Sequence, residues 1–309
     1  MVYVLAVGAA LLNAIASIMQ RLGVETAPAD AGLSTKLVAH MIRRRVWIGG
    51  VVVMIGAFGA QAVALHLGSI AVVQPILVSE LVFVVAALAL WFSMRVSRRD
   101  VVASLLAAGG LALFLAVANP QPGPVAPSNA AWLIAFIVLG VPGVALIWSG
   151  RRGSPTWRAL ALGAGASIGF ALTAALTKSA SDALATSWGT LLSTWQTYAL
   201  VVIGVASFVV MQSAFHAGPF TSSQITLILV NPLVSILLGV ALFKDSLRDG
   251  VGAIVLQIVG IAVMTLGAVW LATSPLLAGV RDEAPGEQLL AGRGRIARYQ
   301  ARRRLARST

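Results

Sequence analysis

Apolar residues run unbroken for about 20 positions at a time along most of this chain, and short charged or turn-forming segments punctuate the runs. The runs fall at roughly 2–22, 46–67, 70–92, 101–119, 130–149, 158–180, 197–216, 220–243 and 250–273. At about 1.5 Å rise per residue, each crosses the roughly 30 Å hydrocarbon core of a bilayer as a helix. Strands of a membrane barrel would alternate apolar and polar positions, so unbroken runs exclude that architecture. The pattern predicts an all-α polytopic membrane protein with about nine transmembrane helices. Arg43 to Arg45, Arg98-Arg99-Asp100, Asn119 to Pro124, Arg151-Arg152-Gly153 and Lys244-Asp245 separate most of the spans. The links at 68–69 and 217–219 are much shorter and predict hairpins of adjacent antiparallel helices.

A second regularity has a period of 150 residues. His66-x-Gly68 returns as His216-x-Gly218, Gln74 as Gln224, Arg98 as Arg248 and Gly110 as Gly260. Matches among Ala, Leu and Val carry little weight in a chain that is 59% hydrophobic, but His, Gln and Arg are scarce here. The offset pairs span two with seven, three with eight and four with nine. Partners are five spans apart, an odd number, so the two copies must face opposite ways: an inverted repeat. Span one matches span six at a slightly different offset, with Gly8, Ala9 and Ala14 falling on Gly165, Ala166 and Ala171. The expected organisation is therefore a first repeat at 1–123, a linker span at 124–157, an inverted second repeat at 158–273 and a basic tail at 274–309.

Charge adds orientation. The connections after spans one, three, five and nine hold Arg21, Lys36, Arg43 to Arg45, Arg95, Arg98, Arg99, Arg151, Arg152, Arg158 and the tail arginines. The other side holds Lys178, Lys244 and Arg248. Lys and Arg stay cytoplasmic, so the N-terminus is expected outside and the C-terminus inside. The net charge of +12 is thereby a topology signal and not a mark of nucleic-acid binding. Met1 to Val4 lack a basic leader, so the first run reads as a retained span. Residues 24–45 are too polar to span and read as an interfacial helix with Leu33, Leu37 and Met41 on one side. The tail from 281 to 309 either lies on anionic lipid headgroups or is solvated. Cysteine is absent, which removes disulfides, thiol nucleophiles and thiolate metal sites.

Candidate chemistry concentrates in a few polar residues at membrane depth. Glu80 is the one carboxylate deep in a span, where a charge costs about 2.5–3.5 kcal/mol to insert. It either binds a proton or cation, or fixes helix packing as a protonated, hydrogen-bonded acid. Gln224, Asn231 and Ser235 share a face of span eight, near Pro232; Gln74 and Pro75 precede Glu80 on span three. Broken helices with polar residues at a repeat interface are where inverted-repeat transporters bind substrate, whereas Pro kinks and interhelical amide bonds are the structural alternative. Asn13 and Ser17 on span one, and Thr173 and Thr177 on span six, form polar stripes that fit a cavity wall or helix packing. Gln61, Gln212 and Gln257 are weaker cavity candidates, and His66 and His216 read as interfacial packing residues. Gly165-Ala166-Ser167-Ile168-Gly169 matches the serine-nucleophile pattern but lies within an apolar helix, where it reads as a small-residue packing face. No phosphate loop, metal-ligand cluster or paired carboxylates occur, which argues against an enzyme and against any cofactor.

The segment from Gln61 through Pro75 to Ser79-Glu80, and its counterpart from Ala214 through Asn231-Pro232 to Phe243-Lys244-Asp245, resemble the drug/metabolite transporter superfamily of the EamA type. The resemblance covers about residues 2–273 and implies a ten-span, 5+5 alternating-access carrier. Nine spans, a basic loop after span one and Thr177-Lys178 resemble the NIPA-like magnesium transporter branch of that superfamily. The expected protein is a carrier in the cell (inner or plasma) membrane moving a small solute, coupled to a proton or cation at Glu80. A Mg²⁺ carrier using Glu80 with amide oxygens is the second reading. A membrane scaffold whose basic tail binds lipid is the third. A homodimer is compatible with the chain. A reporter fused after Thr309 is expected to read out as cytoplasmic; a signal from the opposite side would overturn the assigned orientation.

Overall fold

The computed structural model describes residues 1–24, 44–92, 96–123, 126–218 and 220–274. The expected interfacial helix and the basic tail fall largely on 25–43 and 275–309 and lie outside the described residues. Among the described residues every regular element is helical, with one isolated antiparallel bridge between Gln121 and Ser246. The helices are α1 (Val2–Val24), α2 (Arg45–Leu67), α3 (Ile70–Leu77), α4 (Glu80–Phe92), α5 (Arg98–Ala118), α6 (Asn129–Ala135) and α7 (Val141–Ser149). They continue with α8 (Pro155–Thr186), α9 (Trp188–Ser193), α10 (Trp195–Ala217), α11 (Phe220–Leu242) and α12 (Val251–Ala272). A π-helical turn, Phe136–Gly140, joins α6 to α7 just before Pro142, which cannot donate to the ladder.

Among the described residues eight stretches are long and apolar enough to cross a membrane, so this is a polytopic helical membrane protein. A ninth apolar helical stretch, shorter than these, lies where the seventh span is expected. The seventh expected span is helical over Trp195–Ala217, and Trp195–Met211 is its apolar stretch among the described residues. The sixth is longer than expected. Ser154 accepts from Trp157 N at 3.2 Å, Pro155 fits the first turn, and the helix runs 32 residues to Thr186. At about 1.5 Å per residue it is roughly 48 Å long, more than a bilayer core.

This long α8 is the central helix, 72% buried over its span, while the 129–149 stretch is 11% buried and peripheral. The extensive helix pairs are α1 with α2, α5 with α12, and α8 with both α10 and α11. Lipid tails are as apolar as leucine, so helices in a bilayer associate by close packing of small residues. The α5–α12 seam illustrates this at Gly110 and Gly260. A methyl on Gly110 would strike Met264 N and lie 2.7 Å from Gly260 O. One on Gly260 would lie 2.8 Å from Phe114 N and 3.0 Å from Gly110 O. These contacts are reciprocal under the 150-residue offset, since Gly110 and Gly260 are partners, as are Phe114 and Met264.

Span three is broken, whereas span eight is not. α3 ends at Leu77, Val78 N and Ser79 N turn back to Pro75 O and Ile76 O, and α4 restarts at Glu80. The expectation of a second broken helix at Pro232 is corrected: α11 runs continuously through it. Proline forfeits one ladder bond but does not by itself interrupt a helix whose neighbours hold it.

The turn between α2 and α3 is held by charges from the second half of the chain. Lys178 Nζ on α8 donates to Leu65 O at 2.6 Å and Gly68 O at 2.7 Å, meeting the carbonyls that α2 leaves open. Asp245 accepts from Ile70 N at 3.1 Å and Gly123 N at 3.1 Å, capping the amino end of α3. Both side chains are buried, and each feels the other's charge. Burial pushes the Asp245 carboxyl above its usual range, and the N–H donors of Gly123, Ala71 and Ile70, with the Lys178 charge, pull the other way. Lys244, at φ 59°, ends α11 in a left-handed turn that lets Asp245 N return to Gly239 O at 2.9 Å. The paired backbone bonds of Gln121 and Ser246, 3.0 Å each, tie the end of α5 to the same corner. His66, expected as a packing residue, instead pairs through Nδ1 with Asp182 Oδ1 at 2.6 Å, half-exposed, because α8 extends past the expected span end. All these ties lie at the end of the bundle that holds the N-terminus.

Two substitution pairs test this packing. Gly110→Ala is expected to lower thermal stability in detergent by about 1–3 kcal/mol, the range for overpacking, while adjacent Gly109→Ala, which meets open space, is neutral or mildly stabilising. Asp245→Ala strands the N–H donors around it and a buried lysine and is expected to cost ~3–5 kcal/mol. Adding Lys178→Met to it costs less than the sum of the singles in a double-mutant cycle, and additive losses would contradict the coupling.

Candidate functional site

A cavity of about 660 Å³ lies in mid-bundle, walled by α1, α2, the α3–α4 break, α8, α10 and α11. Of the residues expected to form a site, Asn13, Ser17, Gln74, Glu80, Thr173, Thr177 and Asn231 all line it. They come from α1, span three, α8 and α11, four elements spread over both halves of the sequence.

Glu80 is the first residue of α4, so its carboxyl sits in the first turn, at the positive end of that half-helix dipole. Ser17 Oγ on α1 donates to Glu80 Oε1 at 3.1 Å. The break places it there: Ser79 Oγ closes the turn by donating to Ile76 O at 2.6 Å, which turns the next residue out of the α3 ladder. Six residues earlier, Gln74 is buried, and its Nε2 has no hydrogen-bond partner among the described residues. A buried amide donor left unpaired costs about 1–3 kcal/mol, so a group in the cavity able to accept from it would be stabilised there.

Across the cavity, Asn231 stands beside Pro232 on α11. Ser235, one turn further on, is fully buried and does not line the cavity; its Oγ approaches Asn231 Oδ1 at 3.4 Å and steadies the amide from behind. Thr173 and Thr177 reach the wall, but their hydroxyl protons return to Gly169 O and Thr173 O at 2.8 Å each, leaving oxygen lone pairs toward the cavity. The side chains of Gln224, Gln212 and His216 lie outside the described residues. Gln61, a weaker candidate, lines the cavity. Gln257 does not: it is buried near the end of α12, with Nε2 donating to Arg248 O at 2.8 Å.

Met54, Phe58, Phe170 and Met211 supply apolar wall that the polar pattern did not single out. A signal was present. Met54, Phe58 and Gln61 follow at spacings of four and three, one face of a helix whose last member was already a polar candidate. The serine of the Gly165–Gly169 pattern is fully buried on α8, its Oγ donating to Gly163 O at 2.7 Å and facing Thr226 O at 3.2 Å. That is helix packing, as expected. Among the described residues no group of three His, Cys, Asp or Glu side chains converges as a metal site.

The cavity thus offers one carboxylate, several amides and hydroxyls, and a thioether and aromatic wall. This set suits a small solute with both polar and apolar parts. Among known proteins, no family model matches the chain and no solved structure matches it. It is similar to a curated, uncharacterized protein of Corynebacterium glutamicum, at 26% identity over 214 residues, which covers 69% of this chain and 74% of that protein.

Proposed function

We propose that this protein is a multi-pass carrier of the cell membrane that moves a small solute by alternating access. The observation that carries the reading is the mid-bundle cavity, where polar residues from both halves of the chain meet at the break before Glu80. A carboxylate at membrane depth is costly to place, and beginning a half-helix there is the arrangement by which transporters hold charged groups. In this reading Glu80 binds the coupling proton or cation. Gln74 and Asn231 orient the solute from opposite walls, and Met54, Phe58 and Phe170 contact its apolar part.

Two sets of contacts support an inverted repeat as the moving frame. Gly110 and Gly260 pack reciprocally across the α5–α12 seam. Gly68 lies against Val2, and Gly218 against Ala159, which correspond under the two sequence offsets. An axis relating the halves would then pass through that seam, and rocking about it would expose the cavity to either side. With the N-terminus outside, the Lys178 and Asp245 ties form the outer closure. The resemblance to EamA-type drug/metabolite transporters points to the same mechanism. A magnesium cargo is less well supported, since one carboxylate is a thin ligand set even for an ion that keeps its waters. A scaffold has no need of a polar cavity at mid-depth.

The test is flux in proteoliposomes, comparing proton-driven uptake of a panel of amphiphilic solutes with Mg²⁺ uptake. Glu80→Gln is expected to lower driven flux at least ~10-fold, while Asn231→Ala raises KM by a similar factor through loss of a solute hydrogen bond. Full driven transport by Glu80→Gln would sink the site, and Mg²⁺ flux without solute flux would favour the ion carrier.

A further inference from the structure

A second groove, of about 710 Å³, lies between α7, α8 and α10 at the end of the bundle opposite the N-terminus. It shares no lining residue with the mid-bundle cavity. Ile147, Leu162, Phe208 and Val209 make its wall apolar, and Phe208 and Val209 are more than half exposed, so the groove opens on the flank that faces lipid. Arg151 and Arg158 stand at one end of it.

Arg158 is the informative residue. Its Nε is buried and has no hydrogen-bond partner among the described residues, although a guanidinium carries five donors in a fixed fork. A buried charged donor left unpaired is costly, and Arg is the side chain best matched to a phosphate in that geometry. The amino end of α8 begins at Pro155, so the positive end of the central helix dipole lies at the same place. Trp148 and Trp157, 64% and 47% exposed, flank the arginines in sequence and mark the level of the headgroups, where tryptophan collects.

We propose that this groove holds an anionic glycerophospholipid. Its phosphate lies on Arg151 and Arg158, and one acyl chain runs along Ile147, Leu162, Phe208 and Val209. A free phosphate would leave the apolar wall unused. A zwitterionic lipid would bring an ammonium group towards two arginines. The anionic lipid alone matches both ends of the groove, and its volume falls in the ~300–1,000 Å³ of built ligand sites. The inference does not depend on transport.

Native mass spectrometry of the full chain, stripped in detergent and then offered phosphatidylglycerol, phosphatidylcholine or inorganic phosphate, tests this together with thermal unfolding. Phosphatidylglycerol is expected to be retained and to raise the melting temperature more than phosphatidylcholine. Arg151→Gln and Arg158→Gln should each reduce its retention about fivefold, the equivalent of ~1 kcal/mol per basic residue at an anionic surface. Arg98→Gln, an equal loss of charge at an exposed site elsewhere, should leave retention unchanged. Val209→Trp fills the groove from its exposed flank and should also release the lipid with both arginines intact. Equal retention of the two lipids, equal loss in Arg98→Gln, unaltered binding in Val209→Trp, or full stabilisation by phosphate alone would each overturn the proposal.

Discussion

The rest of the bundle depends on how one tight turn is electrically closed. Residues 65 to 70 bring the carbonyl end of α2 and the amide end of α3 together, with Gly68 and Ser69 between them. Each end leaves backbone groups without intrahelical partners, and at this position water is excluded. A lysine answers the carbonyls and a carboxylate answers the amides, both delivered from the other half of the chain. The charges satisfy the backbone and, at the same time, fix α8 and the end of α11 against the first hairpin. Asp245 also accepts from Gly123 N, so the end of α5 joins the same corner. Gly239 makes room for it, since a side chain carbon there would come within 2.6 Å of the carboxylate.

Below that corner the packing is steric and no longer electrostatic. The α5–α12 seam brings backbones together through Gly110, Gly260 and Gly267, and α8 receives α10 and α11 on faces lined with Gly and Ala. Between these rigid contacts, span three gives up helical continuity at the two residues before Glu80. The broken ladder is tolerable because it lines a cavity and is not presented to lipid. The fold therefore holds its polar irregularity at mid-depth, where a solute or ion would have to be recognised.

Much of this was legible in the sequence because membranes simplify the code. Unbroken apolar runs located the helices, and the rarity of polar residues within them singled out Asn13, Ser17, Gln74, Glu80, Thr173, Thr177 and Asn231, which do share one cavity. What could not be read was the end of α8. Residues 181–186 are polar enough to look like a loop, but the buried partners of Lys178 and the pairing of Asp182 with His66 keep them helical. Lys178 and Asp245 were visible only as charges near span ends. Their burial follows from a contact between distant segments, which periodicity cannot report. Pro232 shows the same limit from the other side: a sequence rule for a break is overruled by neighbours that hold the helix.

Under the proposed inverted repeat, the two ends of the bundle differ in one respect that the offset makes explicit. The position 150 residues before Asp245 is Arg95, and that before Glu80's counterpart Val230 is Glu80 itself. An arginine cannot accept from backbone N–H groups, so the carboxylate is not repeated at the matching position of the other copy. The end that holds the N-terminus thus rests on a buried carboxylate that the offset does not repeat. In a carrier, the two closures would then differ in strength. Opening the end that holds the N-terminus requires separating Lys178 and Asp245 from four backbone groups, a step costly enough to need compensation. In the proposed carrier, binding at Glu80 would supply it, because α3, whose amino end Asp245 caps, is the same short helix that ends at the Glu80 break.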